Sequence, residues 1–305
     1  MNKIDKDLLL QIADIHKVPA GSYNIRKNGE SISCSSTDEI EIMPKKDKNG
    51  IDIIIKPNVI NKSVHIPVII TMGNFTDLVY NDFYIGENSD VTIVAGCGIH
   101  NPTNNASQHN GIHSFHLEKN CRVKYVEKHL GIGNKGDKIL NPVTKIVMQE
   151  NSYFEMETVQ LGGVSYSKRN TTAKLKDNAK LIIKERILTS NKETAITNFK
   201  VELVGKNSSV NVLSRSVAKD NSKQTFNSNV IGSNECFGHV ECDGILIDNA
   251  VITSTPKIQA KNKDASLVHE AAIGKLSGEQ ILKLLSLGLT KEEAENLIIK
   301  GFLNC

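Results

Sequence analysis

Seven times between residues 80 and 255 the chain writes a short β-rich run, an asparagine followed by a small or polar residue, and a second β-rich run. The copies read FYIGENSDVTIV, FHLEKNCRVKYV, IVMQENSYFEME, AKLKDNAKLIIK, VELVGKNSSVNV, SNVIGSNECFGHV and ILIDNAVITS. Their asparagines are Asn88, Asn120, Asn151, Asn178, Asn207, Asn234 and Asn249. The steps between them hold to about 30 residues, except the last, which is close to half a period. A period of this size marks a repeat architecture in which each unit buries its apolar face against its neighbours only. The chain is therefore expected to be a solenoid of strands.

Strand, Asn-Ser, strand also fits a two-residue hairpin, because asparagine tolerates positive φ. The runs VTIVAGCG, AKLIIKERIL and VNVLSRSVA, however, are richer in Val, Ile and Leu than simple alternation requires, as in strands covered on both faces. Coils of a parallel β-helix with asparagine at the bends are the better expectation. The ends differ from this middle. LLLQIADIHKV, residues 8 to 18, has helical spacing and stops at Pro19. Near the carboxyl end Ser277-Gly-Glu-Gln280 and Thr290-Lys-Glu-Glu293 both fit the capping box, and Gly288 ends the first of two helices. The expected division is an amino-terminal helical or extended segment over 1–38, a β-helix over 39–272 and a small helical domain over 273–305. In that last domain Leu282, Leu285, Leu289, Leu297 and Phe302 supply apolar faces for capping the last coil or for docking a partner.

A formal charge of +3 without a dense Lys/Arg run speaks against nucleic acid as the main ligand. No apolar run reaches the roughly 18 residues of a membrane span, and a cytoplasmic location is the expectation. The cysteines at 34, 97, 121, 236, 242 and 305 are expected to be reduced thiols, some of them ligands. None has CxxC spacing, so the fold must assemble any metal site. One neighbourhood sets Cys97 and His100 beside His109 and His113, a thiol-imidazole combination suited to iron or zinc or, more blandly, a polar loop whose histidines bond backbone. A second runs from Cys236 through Glu241 to Cys242, followed one repeat length further on by His269 and Glu270. That separation would make Cys242 and the His269-Glu270 pair neighbours on adjacent strands; alternation sends Glu241 to the opposite face from Cys242. A buried cysteine beside a satisfied histidine is the alternative.

The carboxyl third, GHVECDGILIDNAVITSTPKIQAKNKDASLVHEAAIGKLSGEQILKLLSLGLTKEEAENLIIKGFL, resembles the SufB/SufD family of scaffolds in SUF iron-sulfur cluster assembly. The resemblance covers residues 230 to 303. It implies a right-handed parallel β-helix with a carboxyl-terminal helical domain, a SufC-like ABC ATPase bound by that domain, and a β-helix dimer interface where a transient cluster, expected as 4Fe-4S, is built and passed to acceptor proteins. By position Cys242 matches the family's cluster-assembly cysteine, and His269 and Glu270 fall in its histidine-glutamate motif. The chain looks like a compact scaffold that pairs with itself. ATP would enter only through the partner, since VGKNSS and IGKLSG lack the upstream glycine of a phosphate-binding loop. A non-enzymatic scaffold is thus expected. The alternatives are a carbohydrate-active β-helix enzyme, disfavoured by 5% aromatics and no tryptophan, and a purely structural solenoid.

Overall fold

The structure, a computed structural model, describes residues 1–16 and 19–303. From Ile60 to Lys275 the strands pass between two sheets and pair in parallel with the strand one coil away, never with their sequence neighbour, so the middle of the chain is a parallel β-helix and not a stack of hairpins. One sheet carries the strands 60–70, 90–100, 122–132, 153–160, 180–189, 208–218, 236–246 and 265–275; the other carries 75–85, 107–117, 143–148, 166–175, 194–203, 223–232 and 251–260. Along most strands burial alternates, as in Lys180–Thr189, whose Leu181, Ile183, Glu185 and Ile187 face the lumen. Phe83, Phe115, Tyr125 and Phe154 form one aromatic cluster in the apolar core there, and Phe199 and Phe226 a second pair.

Asparagine holds one corner of the coil. Asn58, Asn88, Asn120, Asn151, Asn178 and Asn207 all have φ between 55° and 64°, a left-handed conformation that asparagine adopts more readily than other chiral residues. Each of the later five donates its side-chain N–H to the amide oxygen of the one before, at 2.9–3.3 Å, which makes a continuous ladder. Asn234 leaves the ladder and bonds the Val204 carbonyl. At the opposite corner, half a coil away, the left-handed residue is Asp248, not the expected Asn249.

The strands that read as covered on both faces have separate explanations. Helix α1 (Lys3–Ala13) lays Leu8, Leu9 and Ile12 on the outside of the strand Asp90–His100, where a side chain at Gly96 or Gly98 would collide with the helix. Helix α3 (Lys291–Leu303) packs Ile299 and Leu303 on Val217 and Ile247. AKLIIKERIL has no such cover and simply alternates. Helix α1 begins earlier than its apolar run suggests, because Asn2 and Asp5 close a reciprocal capping box, and it ends at Asp14 in the left-handed conformation. The expected helical residues Lys17 and Val18 lie outside the described residues. Of the two carboxyl-terminal caps, Thr290 and Glu293 bond as expected, whereas Ser277 makes no side-chain cap on helix α2 (Gly278–Ser286). Gly288 has φ 94° and stops that helix.

The two ends of the solenoid differ. Two antiparallel hairpins, Ser22–Lys27 with Glu30–Ser35 and Ile40–Pro44 with Gly50–Ile55, close the amino end and extend the two sheets. At the other end the strands 251–260 and 265–275 are the last of their sheets, with Val251, Ile258, Val268 and Ile273 exposed. No helix among the described residues is long and apolar enough to cross a membrane.

Candidate functional site

The strand Cys236–Leu246 alternates strictly, so Cys236, Val240 and Cys242 face the lumen while His239, Glu241 and Asp243 face out. Its neighbour toward the open end is Ala265–Lys275, in a register that lies two places away from the expected one. Cys242 therefore stands opposite Ala271; His269 pairs with Val240 and Glu270 with Glu241. His269 shares the inner face with Cys242, one inward position along, and its Nε2 is buried without a hydrogen-bond partner. Burial, with a smaller push from His239, lowers its pKa, which favours the neutral imidazole. Cys242 is fully buried, and its thiol is pushed up to about 11 chiefly by burial. At neutral pH it is a thiol, and a soft metal could bind it only by displacing that proton.

On the outer side of the same two strands, ligand atoms of His239, Glu241 and Glu270 lie within 4.8 Å of one another. The sequence pointed to both glutamates but not to His239. The alternation of GHVECD carried that signal, since His239 sits two residues before Glu241 on one face. Asn211 Oδ1, 3.3 Å from His239 Nδ1, turns Nε2 toward Glu270, 3.5 Å away. Burial and the neighbouring Asp243 raise the Glu241 carboxyl. The sheet thus divides the five candidate residues: Cys236, Cys242 and His269 lie inside, Glu241 lies outside as alternation requires, and Glu270 lies outside with it.

A column of polar side chains leads away from Cys242 within the lumen. In register along the first sheet stand Glu127, Thr158, Glu185, Ser214 and Cys242. Ser214 donates to Glu185 at 3.0 Å, and Thr197 does so from the facing sheet at 2.9 Å. Arg169 crosses the lumen to Glu127 at 2.7 Å and to His129 Nδ1 at 3.3 Å. Burial opposes the charge of Glu127, but Arg169 prevails and holds its carboxyl well below the usual range. Glu185 goes the other way, raised by burial. None of Glu127, His129, Arg169 or Glu185 stood out in the sequence.

The Cys97 neighbourhood lies at the far end of this column. Cys97, His109 and His113 line one enclosed cavity together with Glu127 and His129. His100 does not line it; it ends its strand beside Gly133. His109 donates Nδ1–H to Asp77 at 2.9 Å, and its Nε2 lies nearest to where a side chain at Gly111 would stand. His113 is held between Tyr125 at 2.8 Å and Asn81 at 3.3 Å, and burial lowers its pKa to about 4. Burial raises the Cys97 thiol well above its ordinary value, helped by Asp77 and Glu127. Five strand steps separate Cys97 from Cys242, roughly 24 Å at about 4.8 Å per step.

Against known proteins, residues 77–302 match the family described as SUF system FeS cluster assembly, SufBD core domain. The chain belongs to this SufBD family. It is similar to an iron-sulfur cluster assembly SufBD family protein of Methanothermobacter thermautotrophicus, 29% identical over 222 residues that cover 72% of this chain and 53% of that one. It is also similar to one of Methanocaldococcus jannaschii, 28% identical over 274 residues covering 87% and 85% of the two chains. A third, from Pyrococcus horikoshii, is 29% identical over 287 residues, 89% of this chain and 83% of that one. The chain spans about half the length of the first of these relatives. Membership in the SufBD family agrees with the resemblance of the carboxyl third.

Among the carboxyl-terminal leucines, Leu282, Leu285 and Leu297 are exposed, with Leu282 at 67%. Leu289 is half-buried, and Phe302 turns onto the solenoid beside Arg215, so it belongs to the seam with the coils rather than to the free face. Leu287, at the end of helix α2 and 71% exposed, was not singled out in the sequence.

Proposed function

We propose that this SufBD protein is a scaffold on which an iron-sulfur cluster is built at Cys242 and His269, with ferrous iron received on the outer face by His239, Glu241 and Glu270. The observation that carries this reading is the shared inner face of Cys242 and the unpartnered His269 Nε2 on the last two strands of an open-ended sheet. One soft ligand with exchangeable imidazole and carboxylate neighbours suits a cluster that must later leave for an acceptor. The thiol is buried and protonated, so loading requires the terminal strand 265–275 to shift and uncover it. That strand has one partner strand and leads directly into helix α2, so a force applied to the helices reaches it first. A SufC-like ABC ATPase docked on Leu282, Leu285, Leu287 and Leu297 would supply that force. Cys97, with its own histidines, serves a separate site on this reading.

Anaerobic reconstitution with ferrous iron and sulfide, followed by ultraviolet-visible and Mössbauer spectra, tests the assignment. Cys242→Ala is expected to abolish the cluster signal while costing only about 1 kcal/mol of stability; a normal cluster in that variant would overturn it. Removing residues 277–303 should eliminate co-purification with the ATPase and leave the β-sheet circular dichroism, whereas retained binding would move the docking surface onto the coils.

A further inference from the structure

The enclosed cavity beside Cys97 has a volume of about 10 Å³, room for one water-sized guest and no more. It lies next to the corner at residues 101–106, between the strands Asp90–His100 and Ser107–Leu117. Counting inward-facing positions away from that corner, Ile99 and Ser107 come first on the two strands and Cys97 and His109 second. A thiol and an imidazole thus converge on one small space.

The other donors on the wall are committed. His113 is held by Tyr125 and Asn81, Glu127 by Arg169 at 2.7 Å, and His129 by Arg169 on one nitrogen and by Glu127, 3.4 Å away, on the other. That leaves Cys97 Sγ and His109 Nε2. His109 is 5% exposed, and its Nδ1–H is fixed on Asp77 at 2.9 Å, so the lone pair sits on Nε2. A carboxylate behind the imidazole is the arrangement that orients metal-bound histidines. Gly111 also lines the cavity, and Nε2 is the ring atom nearest to it: a β-carbon at Gly111 would stand 3.0 Å from this nitrogen, so the missing side chain keeps its approach open.

We infer that this cavity binds one monovalent copper ion between Cys97 Sγ and His109 Nε2. The ion replaces the thiol proton, which leaves to solvent, and no electron is exchanged. A thiolate is a soft ligand that selects Cu(I), and a d¹⁰ monovalent ion is satisfied by two ligands in line. Zinc and ferrous iron need more. Among the described residues no three donors of this cavity lie within 4.8 Å of one another, in contrast to His239, Glu241 and Glu270. Charge agrees with this choice: one Cu(I) on one thiolate brings no net charge against Ile66, Val68 and Leu140, whereas a divalent ion would leave one uncompensated. The site goes beyond cluster assembly at Cys242, lies five strand steps away from it, and stands or falls separately.

The test is an anaerobic titration of the full chain with Cu(I) buffered by bathocuproine disulfonate, with copper K-edge absorption spectra taken at one equivalent. Cys34, which is exposed, and Cys305 are replaced by serine in the parent chain so that their thiols do not compete. A tight first equivalent, bound in line by one sulfur and one nitrogen, is expected. Cys97→Ser and His109→Gln should each lose that equivalent, and Asp77→Asn, which removes the carboxylate behind the imidazole, should weaken it by about 10- to 100-fold. His100→Gln, on the same corner but off the cavity wall, and Cys242→Ala should keep it. Circular dichroism checks that each variant is folded, and the spectra of the parent chain need no variant at all. Failure of the parent to hold copper against bathocuproine, a spectrum with sulfur ligands only, or a first equivalent that survives Cys97→Ser or vanishes in Cys242→Ala would overturn the assignment.

Discussion

Arg169 sits where the lumen holds most of its charge, bonded to Glu127 and His129 and 4.0 Å from Glu185. A buried ion pair adds little net stability over an apolar substitute, but breaking one leaves a bare charge in a low-dielectric interior. Arg169→Met is therefore expected to cost about 3–5 kcal/mol in urea denaturation, and Arg169→Met combined with Glu127→Leu clearly less than the two single costs added. His113 makes a prediction in pH. Its pKa falls from 6.5 to about 4 in the fold, mainly through burial, so the unfolded chain takes up a proton that the folded chain refuses. The neutral imidazole's contribution is intact above about pH 6.5 and is lost as the pH drops toward 4, by up to about 3 kcal/mol. Denaturation midpoints at pH 7, 6 and 5 should fall in that order, and His113→Gln should flatten the slope; an unchanged slope would assign the acid sensitivity to other groups.

Within the elements, the corner asparagines do two things that substitutions can separate. Asn120 has φ 59°, donates to Asn88 and accepts from Asn151. Asn120→Gly keeps the backbone conformation and loses only the ladder, at about 1 kcal/mol; Asn120→Ala also forces a β-carbon into the left-handed region and should cost about 2–3 kcal/mol. Equal losses in the two variants would mean that the backbone conformation contributes nothing. The same corners explain how much the sequence disclosed. The need for a left-handed residue writes asparagine at most turns of this corner, so the period and the β-helix class were legible. Register was harder. Corner lengths vary, and a last coil read two places too short set His269 level with Cys242, where the fold sets Ala271. The charged column was hidden by a different ambiguity. In KLIIKERILT, Leu181 and Ile182 lie on opposite faces, so alternation alone does not reveal that Glu185 points inward and Lys184 outward. His239 was missed because its partner Glu270 lies on the neighbouring strand, and only the true register brings them together.

At the scale of the whole molecule, one end is finished and the other is not. The hairpins close the amino end, while the last strand of each sheet offers unpaired backbone and exposed Ile258, Val268 and Ile273 at the carboxyl end. Such edges invite pairing with a second copy, and a two-fold contact would bring two Cys242 strands toward each other. Light scattering is expected to give a dimer for the intact chain and a monomer for Ile258→Lys combined with Ile273→Lys, with circular dichroism unchanged; a wild-type monomer at tens of micromolar would remove this interface. The asparagine ladder has a further consequence for geometry. Corners take up differences in coil length, but each strand must still stack on the one before it, so the axis grows by whole coils. Distances along the axis are therefore graduated in strokes of about 4.8 Å. Cys97 and Cys242 are set five strokes apart, and deleting one coil would bring them one stroke closer without altering the surroundings of either: the solenoid is a gauge whose scale is written in asparagine.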